Sequence, residues 1–182
     1  MKRTRKGFTL VELLIVIVVI GILSAMMMLS STEAVTSAEA SNIVSNLRNL
    51  KTAALALYTD ELDYADNDKL EVGVITSTNG TPSTSNGSFD KVITYMNNGA
   101  AADFVNYGIT KTADGWFVYR QAINDSRVRS KLAGRAKSVG LLGGTAANAL
   151  SQSTQYSSTN NHTVAGMWVV KPAKTTAAAS SN

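Results

Sequence analysis

The sequence predicts an α+β protein: a long N-terminal helix, its inner half transmembrane and its outer half amphipathic, packed on a small, mainly antiparallel β-sheet domain. Three observations predict it. An apolar run fills residues 8–28, helical periodicity continues beyond it with no Pro or Gly between Ile22 and Asp60, and the rest alternates short β-rich stretches with turn formers.

The apolar run comes first because it is the strongest signal. From Phe8 to Thr32 the only charge is Glu12. As a helix, the ~21 residues of 8–28 span ~31 Å, which matches the hydrocarbon core of a bilayer. Lys2, Arg3, Arg5 and Lys6 precede the run and no basic residue follows closely, so the N-terminus is expected to stay cytoplasmic while the C-terminal part is exported. Those four are among 17 basic residues facing 13 acidic ones, so removing the first seven residues leaves 13 of each. The net charge of +4 therefore belongs to a leader and is not a nucleic-acid footprint.

Three readings compete for this segment. A secretory signal peptide shares the basic start and the apolar run, with Leu23-Ser24-Ala25 as a poor small-residue cleavage site. A plain signal anchor is the second. Neither explains Glu12, because an acidic side chain deep in hydrocarbon is strongly disfavoured without a partner. Cleavage between Gly7 and Phe8 supplies one. It creates an α-amino group at Phe8, four residues before Glu12, and a neighbouring subunit's Phe8 could then neutralise that carboxylate.

Basic leader, Gly7, Phe8, Glu12 fifth from the new terminus and an apolar run containing Gly21 together resemble the type IV pilins and the pseudopilins of type II secretion and competence systems. The resemblance covers roughly the first 25 residues and the helical continuation. It implies cleavage after Gly7 by a membrane-embedded aspartyl prepilin peptidase, Phe8 as N-methylphenylalanine, and Glu12 as an assembly residue. The implied partners are identical or related pilin subunits, the peptidase, an inner-membrane assembly platform and, before assembly, membrane lipid. There are two departures. Many members carry a helix-bending proline where this chain has Leu29, and many close a C-terminal loop with a disulfide, which a chain with no Cys cannot make.

Past the membrane run, Ile43, Leu47, Leu50, Ala54 and Leu57 recur at helical spacing on one stripe, with Arg48, Asn49, Lys51 and Thr52 elsewhere. One helix over about residues 8–58 is expected, ~75 Å long. The domain organisation follows: 1–7 leader, 8–32 membrane and filament-core half of the helix, 33–59 amphipathic half, 60–182 exported globular domain with a frayed tail at 175–182.

In the exported part, residues 71–76, 116–123 and 164–171 read as strands, rich in β-branched and aromatic residues. Asp125 is placed to cap a helix ending at Gly140, with Val128, Leu132, Ala136 and Val139 on its buried face and Arg127, Lys131 and Arg135 on another. Residues 77–88 and 145–163 read as Ser/Thr/Asn/Gly-rich loops. Trp116 and Trp168, inside apolar strands, read as core.

Other chemistry is thinly supported. The acidic cluster Asp60, Glu61, Asp63, Asp66, Asp68 and Glu71 lacks the turn glycine of a calcium loop and has Tyr64 where a ligand should fall, so it reads as a solvated loop. Carboxylates oppose the dipole at a helix C-terminus, so either the helix ends near Thr59 or the cluster meets a cation or a basic surface. Arg127, Arg129, Lys131, Arg135 and Lys137 could meet DNA phosphates or equally pair with the acidic cluster of the next subunit, though a solvated face is the plainer reading and little DNA affinity is expected of the monomer. Asn79, Asn86, Asn124 and Asn161 open Asn-X-Ser/Thr triplets of the kind such loops produce by chance, and no glycan is expected. His162, the single histidine, reads as solvated, and no nucleophile or phosphate-cradling motif accompanies it. No enzyme, cofactor or metal is expected.

The expected function is that of a structural filament subunit in a bacterial cytoplasmic membrane, single-pass, which then enters an extracellular or periplasmic filament. A type IV pilin is the first reading and a secretion or DNA-uptake pseudopilin the alternative. A secreted binding or enzymatic domain behind an ordinary signal peptide is the rival of another class.

Overall fold

Absence of Pro and Gly beyond Gly21 lets one helix run much further than a globular domain requires. In the computed structural model, which describes residues 7–60, 70, 73–78, 81–84, 92, 95, 96 and 104–170, helix α1 covers Leu10–Asp60. Its helical backbone passes Leu29 without a break. Threonines in its second half are accommodated by hydroxyl bonds to carbonyls four residues back: Thr36 to Thr32 at 3.2 Å and Thr52 to Arg48 at 3.0 Å. The helix ends one residue after Thr59, with no basic residue in its last turn.

The chain divides into two compact units, residues 1–38 and 39–182. In the first, the described residues from Gly7 to Met28 are all exposed, although the helix is long and apolar enough to cross a membrane. In the second, the expected stripe of Ile43, Leu47, Leu50, Ala54 and Leu57 is at most 4% exposed, and Ala40, Val44 and Ala53 join it. Each fully buried Leu or Ile contributes about 1.5–3 kcal/mol through removal from water, so this stripe is a main support of the unit.

The stripe packs on a sheet made of β1 (Gly73–Thr78), β2 (Thr81–Thr84), β3 (Tyr107–Thr112), β4 (Gly115–Arg120), β5 (Leu142–Gly144) and β6 (Val164–Val170). The order is β2-β1-β3-β4-β6-β5 and every neighbouring pair is antiparallel. Helix α2 (Ser126–Val139) lies in the connection between β4 and β5. It starts where expected: the Asp125 carboxylate accepts from the Arg127 N–H at 2.8 Å. It stops at Gly140, whose φ of 68° places it in the left-handed region that favours glycine. Val128, Leu132 and Ala136 are buried, whereas Val139 is only half-buried.

Both faces of the central strands are covered. Along β4, Trp116 and Val118 enter the cluster under α1, while Phe117 and Tyr119 enter a second cluster with Leu150 and Val164. Leu150 comes from the segment 145–163, expected as a polar loop. Leu150 and Tyr156 are each 2% exposed, so this segment contributes to the core despite its composition.

The strand expectations shift at their ends. The predicted strand 71–76 is β1, which runs on to Thr78, and 116–123 is β4, which stops at Arg120. Ala122 has φ 59°, which turns the chain out of the extended region, and the Ile123 N–H bonds to the Thr163 carbonyl. The loop expected over 77–88 is contradicted at its start: Thr78 pairs with Thr81, and β2 forms the edge of the sheet. Pro82 suits that edge because it cannot donate to a further strand. Strands β3 and β5 were not expected. Trp116 is core as predicted, but Trp168 is half-buried against the second cluster. The acidic positions 61–71, Asn79, Asn86 and the tail 175–182 lie outside the described residues.

Candidate processing and assembly segment

Gly7, Phe8 and Thr9 precede the first helical residue, Leu10. Thr9 and Glu12 stand in the Thr-X-X-Glu spacing of a reciprocal helix cap. The geometry is that cap: Glu12 Oε2 accepts from the Thr9 N–H and from the Thr9 hydroxyl, both at 2.8 Å, and the Glu12 N–H donates to Thr9 Oγ1 at 3.3 Å. One carboxylate oxygen thus serves the helix start. Among the described residues, Oε1 accepts no hydrogen bond.

Phe8 is 84% exposed. A Cβ added at Gly7 would meet nothing within 4 Å, and the same is true at Gly21. Among the described residues, neither glycine is therefore demanded by packing. The structure brings Phe8, Thr9 and Glu12 onto one exposed helix start, with Gly7 next to them in open space. Thr9 is the participant that sequence reasoning missed, and the capping spacing itself was the signal.

The basic residues of α2 are not a bare cationic face. Arg127 pairs with Asp125 at 3.1 Å, Arg129 donates to the Asn161 side chain at 3.1 Å and Arg135 to the Ser41 hydroxyl at 2.6 Å. Hydrogen bonds from the Arg127 side chain and backbone hold the Asp125 carboxyl below its usual range.

His162 departs from expectation. It is 5% exposed, not solvated, and burial pulls its imidazole below its ordinary value. Its Nδ1 accepts from the Ser157 N–H at 3.0 Å. Composition concealed this: the neighbours Asn160, Asn161 and Thr163 are polar, but Tyr156 and β5 close over the ring.

A long helix whose front half is apolar on every side, a small antiparallel sheet and the opening Gly-Phe-Thr-Leu-Val-Glu are features of the pilin-type class that the sequence resembles. Comparison with known proteins bears on the family. The sequence profile described as "Prokaryotic N-terminal methylation motif" matches residues 2–28. "Fimbrial protein Q" of Moraxella bovis is 40% identical over 81 residues, 42% of this chain and 52% of that protein. The chain thus spans about half the length of the curated relative it matches. No solved structure matches the chain at a significant level. The motif and the similarity to a fimbrial protein support a type IV pilin-like family for this chain.

Proposed function

We propose that the chain is a structural subunit of a type IV pilus-like filament, made as a membrane-inserted precursor, cut between Gly7 and Phe8, and polymerised through the front half of α1. The observation that carries the reading is the exposed apolar segment with Glu12 at its head. A helix apolar all round cannot be covered by its own domain, so it needs lipid before assembly and neighbouring helices afterwards.

Lipid and neighbouring helices are equally apolar, so the exchange has little directional preference. Register then has to come from polar pairing. Cleavage creates an amine at Phe8, and an earlier subunit's amine pairs with Glu12, using Oε1 while Oε2 keeps the cap to Thr9. A misregistered helix leaves both charges unpaired in low dielectric and is rejected. The uncut chain lacks the amine, so premature assembly is discouraged. Gly7, free of packing demands, is there for the peptidase, which requires a small residue at the scissile bond. An inner-membrane platform would pass the subunit from bilayer to filament, with the leader on the cytoplasmic side. Nothing in this role calls for catalysis or a cofactor.

The N-terminal mass of the protein from cells tests it. A chain starting at methylated Phe8 supports the reading. A start at Met26 indicates a signal peptide, and a retained leader indicates a plain anchor; either outcome rejects it.

A further inference from the structure

The chain's single histidine sits where a proton would act on the fold. Outside β5, residues 154–156 run antiparallel to it: the Gly143 N–H bonds to the Thr154 carbonyl and the Tyr156 N–H to the Leu141 carbonyl, both at 3.0 Å, flanking a bridge between Leu142 and Gln155. This stretch covers the sheet edge, and His162 fastens it from behind. Its Nδ1 takes the Ser157 N–H, its carbonyl takes the Tyr156 hydroxyl at 3.1 Å, and its ring lies 5.8 Å from that of Tyr156. The imidazole fills the space above Gly143, where an added Cβ would stand 2.1 Å from Nδ1.

A histidine that accepts at Nδ1 is neutral and carries its proton on Nε2. Protonation would turn that acceptor into a second donor facing the Ser157 N–H. It would also place a charge in a space closed by Tyr156 and Gly143. Neighbouring groups do not offset that charge. From α2, Arg129 reaches Asn161, the residue before His162, and adds positive charge. Tyr156 is pushed up to about 12 by burial and stays neutral, and β5 contributes only Leu142, Gly143 and Gly144. Among the described residues no carboxylate bonds to the imidazole.

We propose that His162 is a proton-operated latch: neutral, it pins residues 154–163 over the β5 edge; protonated, it releases them. The direction follows from burial, which lowers the imidazole from its ordinary 6.5. The closed arrangement is fully supported above that value and weakens as pH falls through the lower, folded-state value. A second anchor outlasts it. The Asp114 carboxylate accepts from the Ser151 hydroxyl at 2.5 Å and the Gln152 N–H at 3.2 Å, and these bonds hold it below 3.8. In mild acid it remains ionised, so the release is confined to the part of the segment beyond Gln152.

Hydrogen exchange on the full-length chain in detergent micelles, read at the amides of Gly143, Tyr156 and Ser157, tests the latch. Protection in the wild type should fall about tenfold between about pH 7.5 and about pH 5, while that of Gln152 holds. In His162→Asn the amide oxygen accepts from Ser157 without titrating, and protection should stay within about twofold. Gly143→Ala should expel the ring and give low protection at both pH values. Because the histidine is single, its imidazole NMR signal reports the same event without ambiguity. Unchanged wild-type protection, an equal loss in His162→Asn, or an imidazole that titrates at 6.5 with the Ser157 amide unmoved would overturn the proposal.

Discussion

Residues 8–28 and 40–57 belong to one helix, are both rich in aliphatic side chains, and meet opposite fates. In the first stretch, large apolar side chains are 48–84% exposed; in the second, the stripe from Ala40 to Leu57 is essentially dry while Arg48, Asn49 and Thr52 face solvent. Hydrophobicity alone does not decide burial within a chain. A polar counter-face orients the second stretch, so one small domain can cover it. The first has no polar side to turn outward, and only a surrounding medium or a ring of like helices covers it.

The contrast is broken most severely at the head of the first stretch. Glu12→Ala should leave insertion, cleavage and folding of the outer domain intact but cut filament yield about tenfold or more, with Glu12→Asp milder, because unpaired amines remain in low dielectric. Counting filaments in cells without another major pilin checks this, and wild-type yield would remove the pairing argument. Gly7→Val should stop assembly one step earlier, leaving full-length precursor in the membrane fraction on an immunoblot.

Stability measurements sharpen the same comparison. Leu47→Ala removes a side chain with no exposure and should destabilise the outer unit by about 2–5 kcal/mol in denaturant titrations. Leu14→Ala, at a site 52% exposed, should change that unit by no more than about 0.5 kcal/mol. Gly140→Ala should cost about 1 kcal/mol, since the cap requires positive φ. The smallest effect is expected from Thr9→Ala: amide exchange at residues 9–12 should rise a few-fold as the cap is lost, with the outer unit unaffected.

Legibility followed the range of the interactions. Helix α1, its buried stripe and both caps of α2 could be read because each depends on residues within a turn or two of one another. The roles given to Gly7, Phe8 and Glu12 came from a spaced motif, whereas Thr9, equally local, was overlooked although its spacing to Glu12 announced it. The β1–β2 hairpin was also readable, since Asn79-Gly80 between two Thr-rich stretches is a strong hairpin signal that the polar composition masked.

By itself, then, the sequence determined an uninterrupted helix, its all-apolar front and its one-sided back, all properties of periodicity and local backbone preference. Only the tertiary structure decided that the Gly- and Thr-rich stretch Tyr107–Thr112 is a central strand, that Leu142–Gly144 is an edge strand, and that His162 is buried and bonded. Those outcomes depend on partners far away in the chain: β3 gains its pairing from β1 and β4, and β5 from β6. His162 is enclosed because β5, followed by 154–156, folds back over it. No local pattern carries such information, because the free energy of a strand or a buried imidazole resides in neighbours that only the folded chain brings together.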